Sequence, residues 1–523
     1  MDTATEERPV VGAGEAASTP GSARRARLMG MVFLAGMGTL ATEVTGARLL
    51  APYFGASNVV WANIIGLTLG YLSLGYWLGG RLADRHPNER SLALVVLLSA
   101  ASVAAVPFVS QPVFDLGADA FVDLSAGAFV ASFVGALLLF AVPITSMGAV
   151  APWAIRLAVT EVAHAGTIAG RLYALSTVGS ILGTFLPVLV LIPAIGTRRT
   201  LLLAAALLAV AAALALPRKA MLAPVAILGL LAIPTGQIKP GGGDRVLFED
   251  ESPYQFVQVV QQDDGDRVLH LNEGWGTHSV LRADGPLTRG YWDAFLVLPL
   301  LHGREGGRVA VLGNAAGSVA NLYEAAWPRT SLDGVEIDPV VSDVGRRFFG
   351  MDNPRLTVHT ADARFWLAGA DERYDAIVID AYRQPYIPFH LATTEFFELV
   401  TERLAPGGVV AVNIATPPEL TEAVDRIAAT LRAVFPAVHA ARYDDFNSIL
   451  VGYADAGTAA GARSSLAAAD GLPAVAAARL ARTLTDVPAG GDVLTDDHAP
   501  LEQIADVALL EYLRQGAPGA DDD

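Results

Sequence analysis

The sequence predicts two folds in tandem: an N-terminal all-α, polytopic membrane domain, then an α/β domain on a doubly wound sheet, entered through a small β-domain. Three observations carry this. The 523 residues are 53% hydrophobic and only 17% charged, too long for one domain and too apolar for a wholly soluble chain. Apolar runs of membrane-spanning length recur before residue 236. After residue 300 the apolar runs shorten, end in glycine or an acid, and alternate with helical stretches, as βαβ units require.

Residues 1–27 are rich in Ala, Gly, Glu and Thr without an apolar period and read as a disordered tail. Arg24, Arg25 and Arg27 abut the stretch 28–51, which is long enough to span and lacks a cleavage site, so it reads as an uncleaved first span with a cytoplasmic N-terminus. Further spans fall at 58–80, 91–110, 126–148, 172–194 and 200–216, with a short seventh at 220–235, giving a membrane domain over 28–236 with six or seven spans. Six spans keep the following half in the cytoplasm and seven put it outside. The expectation is a multi-pass protein of the cell membrane with a cytoplasmic catalytic half, and 221–234 re-entrant or interfacial. Gly66 and Gly70, Gly75 and Gly79, and Gly179 and Gly183 each stand one turn apart, as in closely packed membrane helices. Glu43 lies inside the first span, where an ionisable residue is a functional candidate able to hold a cation such as an amine. Arg48, nearer the span's end, is expected to snorkel.

A net charge of −17 with no basic stripe argues against nucleic acid. Membrane lipid and a small molecule are the expected partners. The absence of cysteine excludes disulfides, thiolate metal sites and a cysteine nucleophile.

Residues 237–300 read as a Pro/Gly-rich linker and a small β-domain, with strands at 255–260 and 267–271. The nucleoside-binding domain is expected over 301–455. Its first strand, 309–312, opens into Gly313-Asn314-Ala315-Ala316-Gly317-Ser318 and a helix over 319–327. Small residues there let the backbone approach a ligand, and the helix start offers free N–H groups. The glycine spacing is not the dinucleotide fingerprint. A second strand, 331–337, delivers Glu336 where a carboxylate meets ribose hydroxyls in doubly wound sheets. A third, 356–358, leads to Asp362 and Ala363, and a fourth, 374–379, leads to Asp380. Each acid also reads as a helix N-cap. Residues 404–408 form a turn into the strand 409–413. The segment 456–523 reads as helical, ending in an acidic tail. Within it, the run from Leu494 to Glu502 concentrates acids beside His498; Thr495 or Asp497 suits a helix cap, and no paired histidine supports a metal.

Val335-Glu336-Ile337-Asp338-Pro339, Asp362 after Ala361, and the loop from Asp380 to Pro388 resemble the spermidine synthase family of aminopropyltransferases, which have a Rossmann-like methyltransferase fold. The resemblance extends upstream through Ser252-Pro253-Tyr254-Gln255 and the strands around Gly265 to Tyr291. It implies that Glu336 holds the ribose, Asp362 the adenine amino group, Gln255 the nucleoside co-substrate and Asp380 the attacking amine, as catalytic base. Gly313, Asn314, Gly317 and Ala363 fall on the nucleoside side, and Tyr291, Tyr382 and Arg383 on the acceptor side. Gly80-Arg81-Leu82-Ala83-Asp84-Arg85 resembles the loop motif of major facilitator transporters, and with Ala41-Thr42-Glu43 it makes the N-terminal half similar to the membrane part of fused transporter/spermidine-synthase-like proteins.

The implied reaction moves an aminopropyl group from decarboxylated S-adenosylmethionine to an amine or polyamine, without a metal. The resemblance leaves room for a homodimer. Two aspartates of the family are replaced here, by Ala316 and by Arg383-Gln384. Asp496 and Asp497 are the expected substitutes for holding the amine. An arginine at 383 also suits the carboxylate of intact S-adenosylmethionine, so methyl transfer is one alternative. The other is a polyamine transporter or sensor with a non-catalytic nucleoside domain.

Overall fold

The computed structural model describes residues 20–507 apart from 55–57, 123–126, 160–161, 234–237, 240, 242, 273–275, 305, 383–386, 417–420 and 506. The first half is a helical bundle: α1 (Pro20–Phe54), α2 (Asn58–Arg85), α3 (Glu89–Val122), α4 (Gly127–Gly148), α5 (Val150–Ala158), α6 (Ala165–Leu186), α7 (Ile192–Ile195), α8 (Thr197–Ala213) and α9 (Leu222–Leu230). Apolar side chains point outward as well as inward, among them Leu69, Leu138 and Leu189, so these helices suit an apolar surrounding rather than water. Among the described residues four stretches are long and apolar enough to cross a membrane: Gly21–Tyr53, Glu89–Phe114, Phe133–Ala158 and Ala165–Ile195.

Two of the three glycine pairs are packing seams. A methyl group on Gly179 or Gly183 would collide with the α1 backbone at Phe33 and Met37, and one on Gly75 or Gly79 with α4 at Thr145 and with Ala149. Gly66 and Gly70 face open space among the described residues, so their spacing reflects no described helix contact.

The bundle has two unlike ends. At one, Arg27 pairs with Glu89 at the start of α3 (2.6 Å) and Arg156 of α5 with Asp84 of the α2 terminus (3.0 Å). At the other, the second half is attached. Arg48, near the end of α1, donates to the backbone carbonyls of Ser252 (2.8 Å) and Pro253. Beside it, Lys239 Nζ donates to the carbonyl of Pro52 (2.8 Å), and the Thr197 N–H donates to Glu251 (3.2 Å). The segment 221–234, expected to be re-entrant or interfacial, contains α9 and follows a 3-10 turn, Arg218–Met221. It leads from the end of α8 back to Ile238, whose carbonyl accepts from the Tyr53 hydroxyl (3.2 Å).

The second half opens with an antiparallel sheet, β1 (Arg245–Glu251), β2 (Phe256–Gln261), β3 (Arg267–Leu271) and β4 (Thr277–Leu281). After α10 (Leu298–His302) come β5 (Arg308–Leu312), α11 (Ser318–Ala326), β6 (Ser331–Glu336), α12 (Pro339–Phe348), β7 (Leu356–Thr360), α13 (Ala363–Gly369), β8 (Tyr374–Ile379), α14 (Thr394–Arg403) and β9 (Leu404–Ala415). The chain continues through α15 (Glu422–Val434), β10 (Ala437–Arg442), β11 (Asn447–Tyr453), α16 (Ala456–Ala467), α17 (Pro473–Thr483) and β12 (Thr485–Asp486).

The eight strands lie in the order β12-β10-β11-β9-β8-β5-β6-β7, with β5 to β9 mutually parallel and β10 and β11 antiparallel. Val309, Ala310, Val311 and Leu312 are all buried, as a strand covered on both faces requires. Strand order reverses between β5 and β8, which opens a crevice at their C-terminal ends. One boundary differs from expectation. β9 begins at Leu404, paired with Tyr374, so the stretch read as a turn is already part of the strand.

Candidate active site

The crevice is built by a loop that only glycine can start. Gly313 has φ +90°, and a methyl group there would collide with the carbonyl oxygen of Asp380 at the end of β8; glycine lets the two strand ends meet. Ala315 follows in the left-handed region, uncommon for a residue with a side chain. This turns its N–H onto Glu336 Oε2 (3.0 Å), while the Asp338 N–H donates to Oε1 (3.0 Å). The carboxylate is therefore fixed from both sides. Burial pushes Glu336 up to about 7, against the pull of these N–H donors.

Asp362 caps α13, as one of its two readings anticipated: its Oδ1 accepts from the N–H groups of Arg364 (3.0 Å) and Phe365 (3.1 Å), and its Oδ2 lies 3.4 Å from His390 Nε2. Asp380 does not cap a helix. Its Oδ1 accepts from Asn413 Nδ2 (2.9 Å), reaching over from β9, and its Oδ2 from the Tyr291 hydroxyl (3.0 Å). Burial lifts Asp380 to about 7, with Asn413, Tyr291 and Trp292 pulling the other way. Tyr291 stacks on Trp292 (centroids 4.2 Å apart), and burial holds its hydroxyl well above the usual tyrosine value, so it stays a donor.

A cavity of about 450 Å³ joins these groups, walled in part by Gly313, Glu336, Asp362, Ala363 and Asp380. Gln255 lines it too, with Nε2 3.3 Å from Asp338 Oδ2, the oxygen that also accepts from the Ser252 hydroxyl (2.5 Å). Tyr382 lines it while its hydroxyl donates to the Asn413 carbonyl (3.0 Å) and accepts from the Ala415 N–H (2.6 Å). The described walls include four carboxylates, those of Glu336, Asp362, Asp380 and Glu502, and no lysine or arginine.

Other expected residues lie elsewhere. Asn314 is buried under Gly334, with Nδ2 3.2 Å from Met351 Sδ, and Gly317 is the left-handed cap of α11 against Met351; neither lines the cavity. Ala316 is buried beside Val257 and Val341, so its side chain does not mark an acid lost from the cavity wall. Asp496 is taken by Arg364, with two bonds of 2.7 Å, and by the Thr393 hydroxyl (2.7 Å). Asp497 is exposed, and neither acid reaches the cavity. Glu502, in the helical residues 501–505, is the acid of that segment that does. Arg383 lies outside the described residues. Glu43 is half-buried on α1 and is no part of these walls. Sequence reasoning missed Asn413, a polar residue inside an apolar strand, and His390. No group of three His, Asp or Glu side chains among the described residues is arranged to hold a metal.

Residues 298–444 match the Spermine/spermidine synthase domain family. The chain is 37% identical over 171 residues to a probable polyamine aminopropyl transferase of Bifidobacterium longum, covering 32% of this chain and 37% of that protein. It is 36% identical over 202 residues to a polyamine aminopropyltransferase of Vibrio vulnificus, covering 37% and 66%. The match thus spans less than two thirds of either relative. Among solved structures, a probable spermidine synthase from Corynebacterium glutamicum aligns at 19% identity and a TM-score of 0.36, covering 42% of this chain and 87% of that one.

Proposed function

We propose that this chain, with its spermidine synthase domain at 298–444, is a membrane-anchored transferase that moves an aminopropyl group from decarboxylated S-adenosylmethionine to an amine. The observation that carries the reading is the anionic wall: four carboxylates and, among the described residues, no lysine or arginine. A sulfonium nucleoside ending in a bare ammonium, and an ammonium acceptor, are both cations that such a wall stabilises. Intact S-adenosylmethionine would bring a carboxylate against these acids without a described cationic partner. The four apolar helices support an anchor in a membrane.

The nucleoside fits the crevice by its chemistry. Glu336, its oxygens held by Ala315 and Asp338, presents a fixed acceptor for paired ribose hydroxyls. Asp362 stands next along the sheet for the adenine amino group. Asp380 takes the proton. An alkylammonium titrates near 10.4, so an ordinary carboxylate near 3.9 is some six units too weak to relieve it, whereas at about 7 the gap roughly halves. As the C–N bond forms, the C–S bond breaks with its electron pair going to sulfur. Methylthioadenosine leaves, and the lone pair in the new bond is the one freed when the ammonium gave its proton to Asp380. The sulfonium is already a good leaving group, so the protein's part is alignment of nitrogen, carbon and sulfur.

The test is product analysis. Purified protein given each labelled nucleoside and a panel of amines should release methylthioadenosine from the decarboxylated donor. Adenosylhomocysteine from the intact donor would replace this reading with methyl transfer, and no turnover with either would leave a binding protein.

A further inference from the structure

We infer that the nucleoside site stands on the side of the membrane away from the cytoplasm. The inference rests on the membrane-anchored reading of the bundle but not on the chemistry of the site. Its first support is α1, one continuous 35-residue helix. Its early turns are tied to the far end of the bundle through Arg27 and Glu89, and its late turns grip the catalytic half through Arg48 and the Pro52 carbonyl. At 1.5 Å per residue α1 is about 52 Å long, more than a hydrocarbon core of about 30 Å. The two ends of α1 therefore lie on opposite sides.

Charge then orients it. At the far end stand Arg24, Arg25 and Arg27 before the first apolar stretch, and Arg85 and Arg90 around the α2–α3 turn. Arg156 and Arg171 flank the passage from α5 to α6, and Arg218 and Lys219 follow α8. Between Arg48 and Arg81, and again between Arg90 and Arg156, the chain has no lysine or arginine, so the sequence that joins α1 to α2 and α3 to α4 carries none. Arg48, Lys239, Arg198 and Arg199 are the basic residues at the catalytic end; Arg48 and Lys239 are engaged by the backbone carbonyls of Ser252, Pro253 and Pro52, and Arg198 and Arg199 remain. These two line a cavity between the two halves together with Glu249, Asp250 and Glu251, which offset them. Basic short connections stay in the cytoplasm, and here they gather at the end away from the nucleoside site.

This reverses the cytoplasmic placement expected from six spans. The physical reason is that the late turns of α1 grip the catalytic half at the end of the bundle away from the basic connections. A consequence concerns supply. A sulfonium carries a fixed charge that hydrocarbon excludes, so a donor made in the cytoplasm reaches this site only after a carrier-mediated export step.

The chain has no cysteine, so an introduced cysteine is the only thiol. Val475→Cys places one on the exposed face of α17, and His86→Cys places one in the exposed α2–α3 turn. Each full-length variant is treated in intact cells with a membrane-impermeant maleimide, and again after permeabilisation, with labelling in detergent showing that both thiols react. Val475→Cys should label as fully before permeabilisation as after, and His86→Cys only after. The opposite pattern overturns the inference. Since the readout is accessibility and not turnover, an inactive but correctly labelled protein would sink the proposed reaction and leave the orientation standing.

Discussion

Asp380 and Glu336 are both held near neutrality by burial, yet their oxygens are used differently. Asp380→Asn keeps the shape of the cavity and removes the proton acceptor, so turnover should fall by about 10²–10⁴-fold while methylthioadenosine affinity changes little. In the parent, kcat should rise with pH through about 7 as Asp380 ionises, and the Asn variant should lose that limb. A fully active variant would remove Asp380 from the reaction. Glu336→Ala should weaken nucleoside binding by about 1.5–3 kcal/mol, since two hydroxyls lose a charged acceptor; calorimetry on folded protein decides it. Both groups also act on stability. A carboxyl whose folded value is raised keeps a proton that the unfolded chain releases, so stability should fall as pH rises from about 4 to about 7 and then level off. Thermal unfolding across that window reads the slope, and Glu336→Gln should flatten it. These acids were legible because each ends or follows an apolar strand run. Which atoms of the Gly313–Gly317 loop face the crevice was not, because alternate positive φ angles at Gly313, Ala315 and Gly317 decide it, and sequence spacing carries no such angles.

The acidic segment near the C-terminus shows a similar division at the scale of an element. Its return to the catalytic domain was legible as a dense run of acids. The role of each acid was not, because Arg364 on α13 claims Asp496 from a distant part of the sequence. Glu502→Gln should raise KM for the amine several-fold, because the cavity wall loses one of its four carboxylates. Equal KM values would exclude Glu502 from amine binding. In the bundle, Gly179→Leu should destabilise the detergent-solubilised protein strongly, since a side chain there meets the α1 backbone, whereas Gly66→Leu should be tolerated in open space. The small-residue spacing was readable for all three glycine pairs, but spacing alone does not say which face has a partner.

Across the whole molecule, the two halves meet on the turn that lines the nucleoside cavity. Arg48 holds the carbonyls of Ser252 and Pro253, Ser252 holds Asp338, and Gln255 shares that carboxylate. Arg48→Ala should therefore lower nucleoside affinity without altering a wall of the cavity, and Arg48→Lys should recover part of it. The depth of Arg48 has a further effect. From Leu28 to Arg48 the helix rises about 30 Å, the thickness of the hydrocarbon, so on the membrane-anchored reading proposed above the turn it grips would stand among the lipid headgroups. In vesicles whose outer leaflet is anionic, a surface potential of about −30 mV concentrates a doubly charged amine about tenfold next to the surface, and salt screens this away over about 10 Å. The enzyme would then sample a local amine concentration set by its lipids, and its apparent KM should rise when anionic vesicles are exchanged for neutral ones or when ionic strength is increased.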